Sequence, residues 1–296
     1  MNNLLILLFL SFTLNSYAGA GAKKNSFDSV KIKTQKVAGG VYILKGAGGN
    51  IAISAGKDGI LMVDSQFSPL NKKIKKAITK IQKGKVDFLI NTHWHGDHTG
   101  GNSHFSKNAH ILAQENVRTR LARDQIHGLT GKVVKAIHKK GLPNITFKNS
   151  IKIYFNDEEI EIIHFRKGHT DGDSIVLFKK SKVAHLGDHF FNFSFPFIDS
   201  KNGGNIFQYH ANVKEMLKLI PANYKIIPGH GTLANIADLK NYETMLENTI
   251  DHVRTEKNNG KTLIDIQKRG VGKKYKPLGQ GFIKEEKWIE FIYNAL

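Results

Sequence analysis

In the run Asn91-Thr92-His93-Trp94-His95-Gly96-Asp97-His98-Thr99-Gly100-Gly101-Asn102, three histidines and one aspartate fall within six positions. The preceding segment, Val86-Asp87-Phe88-Leu89-Ile90, is an apolar run of strand length. Residues two apart in extended backbone point the same way, so His93 and His95 project together. The chain then turns, as Gly96 permits, and brings Asp97 and His98 round behind them. Imidazole nitrogens and carboxylate oxygens at the carboxyl end of a strand suit a divalent metal such as zinc. A lone histidine would more often be a surface or core residue, but this spacing after a strand points to a ligand loop.

Three later clusters also sit just past short apolar runs: Gly168-His169-Thr170-Asp171-Gly172-Asp173-Ser174, Gly187-Asp188-His189 and Pro228-Gly229-His230-Gly231. Around them, strands are expected at 41–44, 50–55, 60–63, 110–113, 151–154, 160–164, 175–178, 183–186 and 225–227, with helices at 70–81, 115–123, 207–219, 235–256 and 283–295. Gly46 to Gly49 reads as a tight hairpin connection and a candidate flap. Asp64, at a strand end, is expected to brace the metal loop from behind. The polar segment after the leader, to about Thr34, reads as an extended lead-in. The basic stretch from Asp124 to Pro143 reads as a helix partly covering the site. Strands followed by a helix occur once before the metal loop and once after it, which suggests two βα layers packed face to face.

The chain opens with an apolar run, Leu4 to Leu14, followed by Asn15-Ser16-Tyr17-Ala18-Gly19-Ala20. That is the layout of a secretory signal peptide over residues 1–20, although the n-region has no Lys or Arg. The run is too short to span a bilayer, for which about 20 apolar residues are needed. The expectation is an exported protein, periplasmic in a host with two membranes, with one domain over residues 21–296. There are no cysteines, so neither disulfides nor thiolate ligands are available.

The net charge is +19. An anionic partner, either nucleic acid or a lipid surface, is one reading of it. Much of this charge lies on helix faces, however: Leu70, Ile74, Ala77, Ile78 and Ile81 keep helical spacing while lysines fill the opposite side. A solvated face accounts for that pattern.

The ordered set His93-x-His95-x-Asp97-His98, His169, Asp188 and His230 resembles the metallo-β-lactamase superfamily of αββα hydrolases. The resemblance runs from Gly48-Gly49-Asn50 and Val63-Asp64-Ser65 to Pro228-Gly229-His230-Gly231, and Gly279-Gln280-Gly281-Phe282-Ile283 is similar to secreted, cyclase-like members. It implies a four-layer α/β sandwich and two zinc ions, with manganese or iron compatible with the same donors. His93, His95 and His169 would hold one metal, Asp97, His98 and His230 the other, and Asp188 would bridge them. Two such cations share a water and lower its pKa, while Asp97 orients it or accepts its proton. An aspartate at position 188 resembles the thioesterase, lactonase and phosphodiesterase branches; the Gly168–Ser174 segment and the leader resemble secreted β-lactamases.

The function expected is hydrolysis of an ester, thioester, lactone or β-lactam carbonyl in a small-molecule substrate, without a covalent intermediate on Ser65 or Ser174. The alternatives are a phosphodiesterase or nuclease, and a non-catalytic metal-binding accessory protein. The sequence has no recognisable nucleic-acid-binding module, which argues against a nucleic-acid partner. It leaves oligomeric state open. Of Phe190, Phe191, Phe193, Phe195 and Phe197, one or two are expected to face the site. Trp94 should pack behind the ligands. His185 and His189 are expected to be structural or to brace the site, and the remaining histidines have no assigned role.

Overall fold

A computed structural model describes residues 27–296, and the expected signal peptide lies outside them. The first half of the chain builds one sheet. Strands β1 (Lys33–Ala38), β2 (Val41–Lys45), β3 (Ile51–Gly56) and β4 (Gly59–Val63) form an antiparallel meander. Helix α1 (Asn71–Ile81) then carries the chain to β5 (Val86–Ile90), which lies parallel to β4. Two one-turn helices, α2 (Gly96–Thr99) and α3 (Asn102–Phe105), lead to β6 (His110–Gln114) and α4 (Glu115–Leu121). A small two-stranded ribbon, β7 (Gln125–Ile126) with β8 (Val133–Val134), precedes β9 (Ile145–Phe147), the last strand of this sheet.

The second half builds a six-stranded sheet from β10 (Ser150–Phe155), β11 (Glu158–His164), β12 (Ser174–Phe178), β13 (Val183–His185), β14 (Lys225–Ile227) and β15 (Ala234–Asn235). Helix α5 (Ile206–Leu219) connects β13 to β14. Helices α6 (Ile236–Asn258), α7 (Leu263–Arg269) and α8 (Glu285–Ala295) follow. Among the described residues, no helix is long and apolar enough to cross a membrane.

Period-two alternation sorts the strand residues into layers. In β4, Leu61 and Val63 enter a core shared with Val176 and Phe178 of β12, between the two sheets. Ile60 and Met62 point the other way, onto Ile74, Ala77 and Ile78 of α1. In β12, Ile175 and Leu177 meet Tyr209, Val213 and Met216 of α5, and α6 and α8 add Leu246, Trp288 and Ile289 to that cluster. Both faces of each central strand are thereby covered, giving helix, sheet, sheet, helix.

Four features differ from expectation. The lead-in ends in β1, an edge strand whose first four residues are exposed, so it carries no apolar signal. The expected helix over 124–143 is instead the β7–β8 ribbon followed by a single turn at Lys139–Gly141. Its strands have two residues each, too short for any periodicity to register. Two short elements, β9 and α7, had no signal strong enough to stand out. Gly96 opens a helical turn with nothing within 4 Å of a Cβ built there, so the ligand loop turns by starting α2 rather than through glycine's special freedom.

Candidate metal centre

All seven expected ligands converge where the carboxyl ends of β4, β5, β13 and β14 meet. The donor atoms of His93, His95, His169 and Asp188 lie within 4.8 Å of one another, as do those of Asp97, His98 and His230. His93 and His95 extend from β5, and Asp97 and His98 occupy α2. His169 follows β11, Asp188 sits in the turn after β13, and His230 follows β14.

The hydrogen bonds fix which nitrogen of each ring faces inward. Asp64 is fully buried and accepts from the Thr92 amide at 2.8 Å, the Thr92 hydroxyl at 2.7 Å and His98 Nδ1 at 2.7 Å. The Thr92 hydroxyl has spent its one proton on Asp64, so it accepts from His93 Nδ1 at 3.1 Å. His95 Nε2 donates to Asp199 at 2.9 Å, and His169 Nδ1 donates to the Phe197 carbonyl at 2.6 Å. The remaining nitrogens of His93, His169 and His95 (Nε2, Nε2 and Nδ1) therefore present lone pairs to the centre, while His98 Nε2 faces Asp188 Oδ1. His169 Nε2 and His95 Nδ1 are 2.8 Å apart, and His98 Nε2 and His230 Nε2 are 3.3 Å apart.

Asp188 lies between these groups. Its Oδ2 is 3.3 Å from His169 Nε2 and 3.7 Å from His93 Nε2, while its Oδ1 is 3.1 Å from His98 Nε2 and 3.5 Å from His230 Nε2. Buried His93 Nε2 and Asp188 Oδ1 have no hydrogen-bond partner among the described residues. Facing lone pairs and orphaned buried acceptors are costly unless a cation lies among them, so this donor set fits two metal ions. The backbone makes room for it: a Cβ on Gly49 would lie 2.1 Å from His98 Cε1, and one on Gly229 would lie 2.1 Å from Asp188 Oδ1.

The electrostatics divide the centre in two. Burial drives the His93 imidazole well below its ordinary pKa and brings His169 down to about 4. Burial acts the same way on His98 and His230, but Asp188 and Asp97 overcome it, raising both and pushing His230 up to about 9. Burial disfavours the charged forms of Asp97 and Asp188, yet His98 and His230 outweigh it and hold both carboxyls below the usual range.

A cleft of about 560 Å³ opens over Asp97, Asp188 and His230. Its walls include Phe67, Trp94, Val134, Phe191, Phe197 and Phe282. Two of the five clustered phenylalanines, Phe191 and Phe197, face the site; Phe190 and Phe195 are core and Phe193 is exposed. Trp94 packs against Val117 and Leu121 and also touches the cleft. Gly48 of the β2–β3 turn lies at the cleft. Asp64 braces the ligand loop as expected. His185 joins the two halves by donating from Nε2 to the Asn50 carbonyl at 3.0 Å while Nδ1 accepts from the Gly187 amide at 3.2 Å. His189 stacks on Tyr209, with ring centroids 5.4 Å apart, and lies beside Asn212.

Sequence reasoning missed three participants. Asp199 orients His95 and is itself held by Asn202 at 2.8 Å. Asn50 donates to the carbonyls of Pro228 and Gly231, at 2.8 and 3.1 Å, and so fixes the loop that carries His230. His127, from the ribbon, lines the cleft and lies parallel to Phe197, with centroids 5.7 Å apart. Asp199 and His127 belong to no local motif, and Asn50, although it ends the Gly48-Gly49-Asn50 turn, gives no sign of its partners; each reaches the site by tertiary contact.

Residues 45–230 match the Metallo-beta-lactamase superfamily, and the chain belongs to that family. The His and Asp groups that could hold a metal lie within the matched segment. A hydroxyacylglutathione hydrolase from Nitrosococcus oceani is 28% identical over 174 residues, which is 57% of this chain and 57% of that protein's length. Among solved structures, the DIM-1 metallo-beta-lactamase has a TM-score of 0.59 at 20% identity, covering 74% of this chain and 98% of that one. A metallo-beta-lactamase from Pontibacter korlensis gives 0.61 at 18% identity, covering 74% and 100%. The sec-alkylsulfatase Pisa1 from Pseudomonas sp. gives 0.68 at 14% identity, covering 89% of this chain and 50% of its own. At these identities the structures share the fold.

Proposed function

We propose that the protein is an exported dinuclear zinc hydrolase acting on an ester, thioester, lactone or β-lactam carbonyl. The observation that carries this reading is Asp188, a buried carboxylate with one oxygen turned to each histidine group. In this reading His93, His95 and His169 hold one ion, Asp97, His98 and His230 hold the other, and Asp188 serves both. When bound, two such ions supply Lewis acidity and an activated water.

The chain's own residues do the rest. Asp97, at the floor of the cleft and held ionised by His98 and His230, is placed to orient the attacking water and accept its proton. Trp94, Phe191 and Phe197 exclude bulk solvent and bear on the apolar part of a substrate. His127 Nδ1 accepts from the amides of Leu129 and Thr130, at 3.2 and 3.3 Å, so its proton resides on Nε2 and is available to a substrate oxygen. Ser65 is committed to the loop, donating to the His98 carbonyl or to Asn102, which leaves no role for it as a nucleophile.

The test is a panel of chromogenic cephalosporin, lactone, thioester and phosphodiester substrates with the zinc-loaded protein, alongside Asp188→Asn and His93→Ala. The expected result is turnover of a carbonyl substrate, lost in both variants together with bound metal. Turnover confined to phosphodiesters would replace this reading with phosphoryl transfer. Two bound metals without turnover of any of them would favour an accessory role. Export is tested separately, by N-terminal sequencing of protein recovered from the periplasmic fraction.

A further inference from the structure

The net charge of +19 plays no part in the metal centre, and the surface around the cleft gives it a use. Among the described residues, eight large hydrophobic residues are exposed. Phe282 lines the cleft, Phe193 lines the groove beside it, and Ile126 and Val133 lie on the ribbon next in sequence to the cleft-lining His127 and Val134. Ile126 and Val133 are directly paired across the β7–β8 ribbon, so both project from one face. Their neighbours Gln125 and Val134 project from the other, where Val134 lines the cleft. Among the described residues no third strand covers the ribbon, and Ile126 and Val133 are 45% and 54% exposed. Phe282, 70% exposed, stands at the cleft against Phe197. Phe193, also 70% exposed, is held at φ 72°, a backbone region costly for a bulky side chain.

These apolar tips are set among cations. On the ribbon side, Arg123, Lys132, Lys135, Lys139 and Lys140 are exposed against one acid, Asp124. On the Phe282 side, Lys273, Lys274, Lys276 and Lys284 are exposed, with no acid between Lys273 and Lys284. Of these nine, only Lys135 pairs with a carboxylate among the described residues. The lysine face of α1 is equally basic but turns its apolar residues inward and exposes no large hydrophobic. A solvated helix face needs nothing more; a basic surface with protruding apolar tips is what inserts into an anionic bilayer.

We propose that the rim of the cleft, formed by the β7–β8 ribbon, Phe193 and the Lys273–Lys284 segment, docks on an anionic lipid surface with the cleft mouth facing the headgroups. Cations attract the headgroups, and the four apolar side chains enter the acyl boundary. Nucleic acid fits less well, because Ile126 and Val133 are aliphatic and cannot stack on bases. Docking of this kind depends on the rim alone and is independent of which bond the centre hydrolyses.

The chain has no cysteine, so a single introduced thiol can report from a chosen place. Val133→Cys and Phe282→Cys, each carrying an environment-sensitive fluorophore, are compared with Tyr154→Cys, a position 74% exposed on β10. Full-length protein is mixed with phosphatidylcholine vesicles with or without about one-third phosphatidylglycerol. The expected result is a blue shift at 133 and 282 on anionic vesicles only, reversed by salt, with no shift at 154. Ile126→Asp should weaken vesicle affinity about tenfold or more without altering bound metal. Equal shifts at all three positions, no shift at 133 and 282, or a shift produced by a DNA oligonucleotide instead of vesicles would overturn the proposal.

Discussion

Asp64, Asp188 and five imidazoles occupy a volume where each proton position is dictated by a neighbour, and this makes the centre sensitive to single-atom changes. Thr92→Val removes a hydroxyl that donates to fully buried Asp64 and accepts from His93. An acceptor left unsatisfied there should cost about 1–3 kcal/mol, read by urea denaturation of the metal-free protein. Asp199→Asn, which weakens the orientation of His95, should reduce metal affinity about 10–100-fold by competition with a chelator. The pH response follows from the two kinds of histidine. His230, which burial would lower but Asp188 and Asp97 raise from its ordinary 6.5 to about 9, stabilises the metal-free fold fully below about 6.5 and loses that contribution as pH rises through about 9. A metal needs the neutral ring, so the Asp97/His98/His230 group should load more weakly as pH falls. His93 and His169 are already neutral at pH 7, so their group should load first. Calorimetry in buffers of different ionisation enthalpy should show more protons released by the second metal than by the first. Equal proton release by both would contradict this division.

At the scale of elements, legibility followed burial and length. β4, β5 and β12 were readable because both their faces are covered, which leaves near-continuous apolar runs. Helix α1 was readable because one face is buried and the other is lysine. β1, exposed on most of its length, and the two-residue strands β7 and β8 give no such pattern. The expected ligands that lie past strands stand out in the sequence by residue type and order. Asp199, Asn50 and His127 do not, because their partners are 104, 178 and 70 positions away in sequence, at His95, Pro228 and Phe197. The β2–β3 turn supplies a test at this scale. Gly49→Ala would drive a methyl into the His98 ring, so the variant should keep its β-sheet circular dichroism while binding at most one metal. Two metals bound with unchanged affinity would show that the turn yields freely.

Across the whole molecule, sequence order and architecture coincide. Strands β1 to β6 and β9 lie in the first sheet, and β10 to β15 lie in the second. The exposed Lys148-Asn149 link separates them. The expected ligands divide the same way, with His93, His95, Asp97 and His98 before that link and His169, Asp188 and His230 after it. Each histidine group therefore draws on both halves, and metal binding should stabilise the closed molecule by mass action. Chelation should lower Tm and free metal should raise it in a concentration-dependent way, checked by thermal scans. A chain opened between Lys148 and Asn149 would become two polypeptides, each with its own sheet and neither with a complete centre. Such fragments should find each other more tightly when zinc is present, which would make the hydrolytic centre also the latch of a split protein.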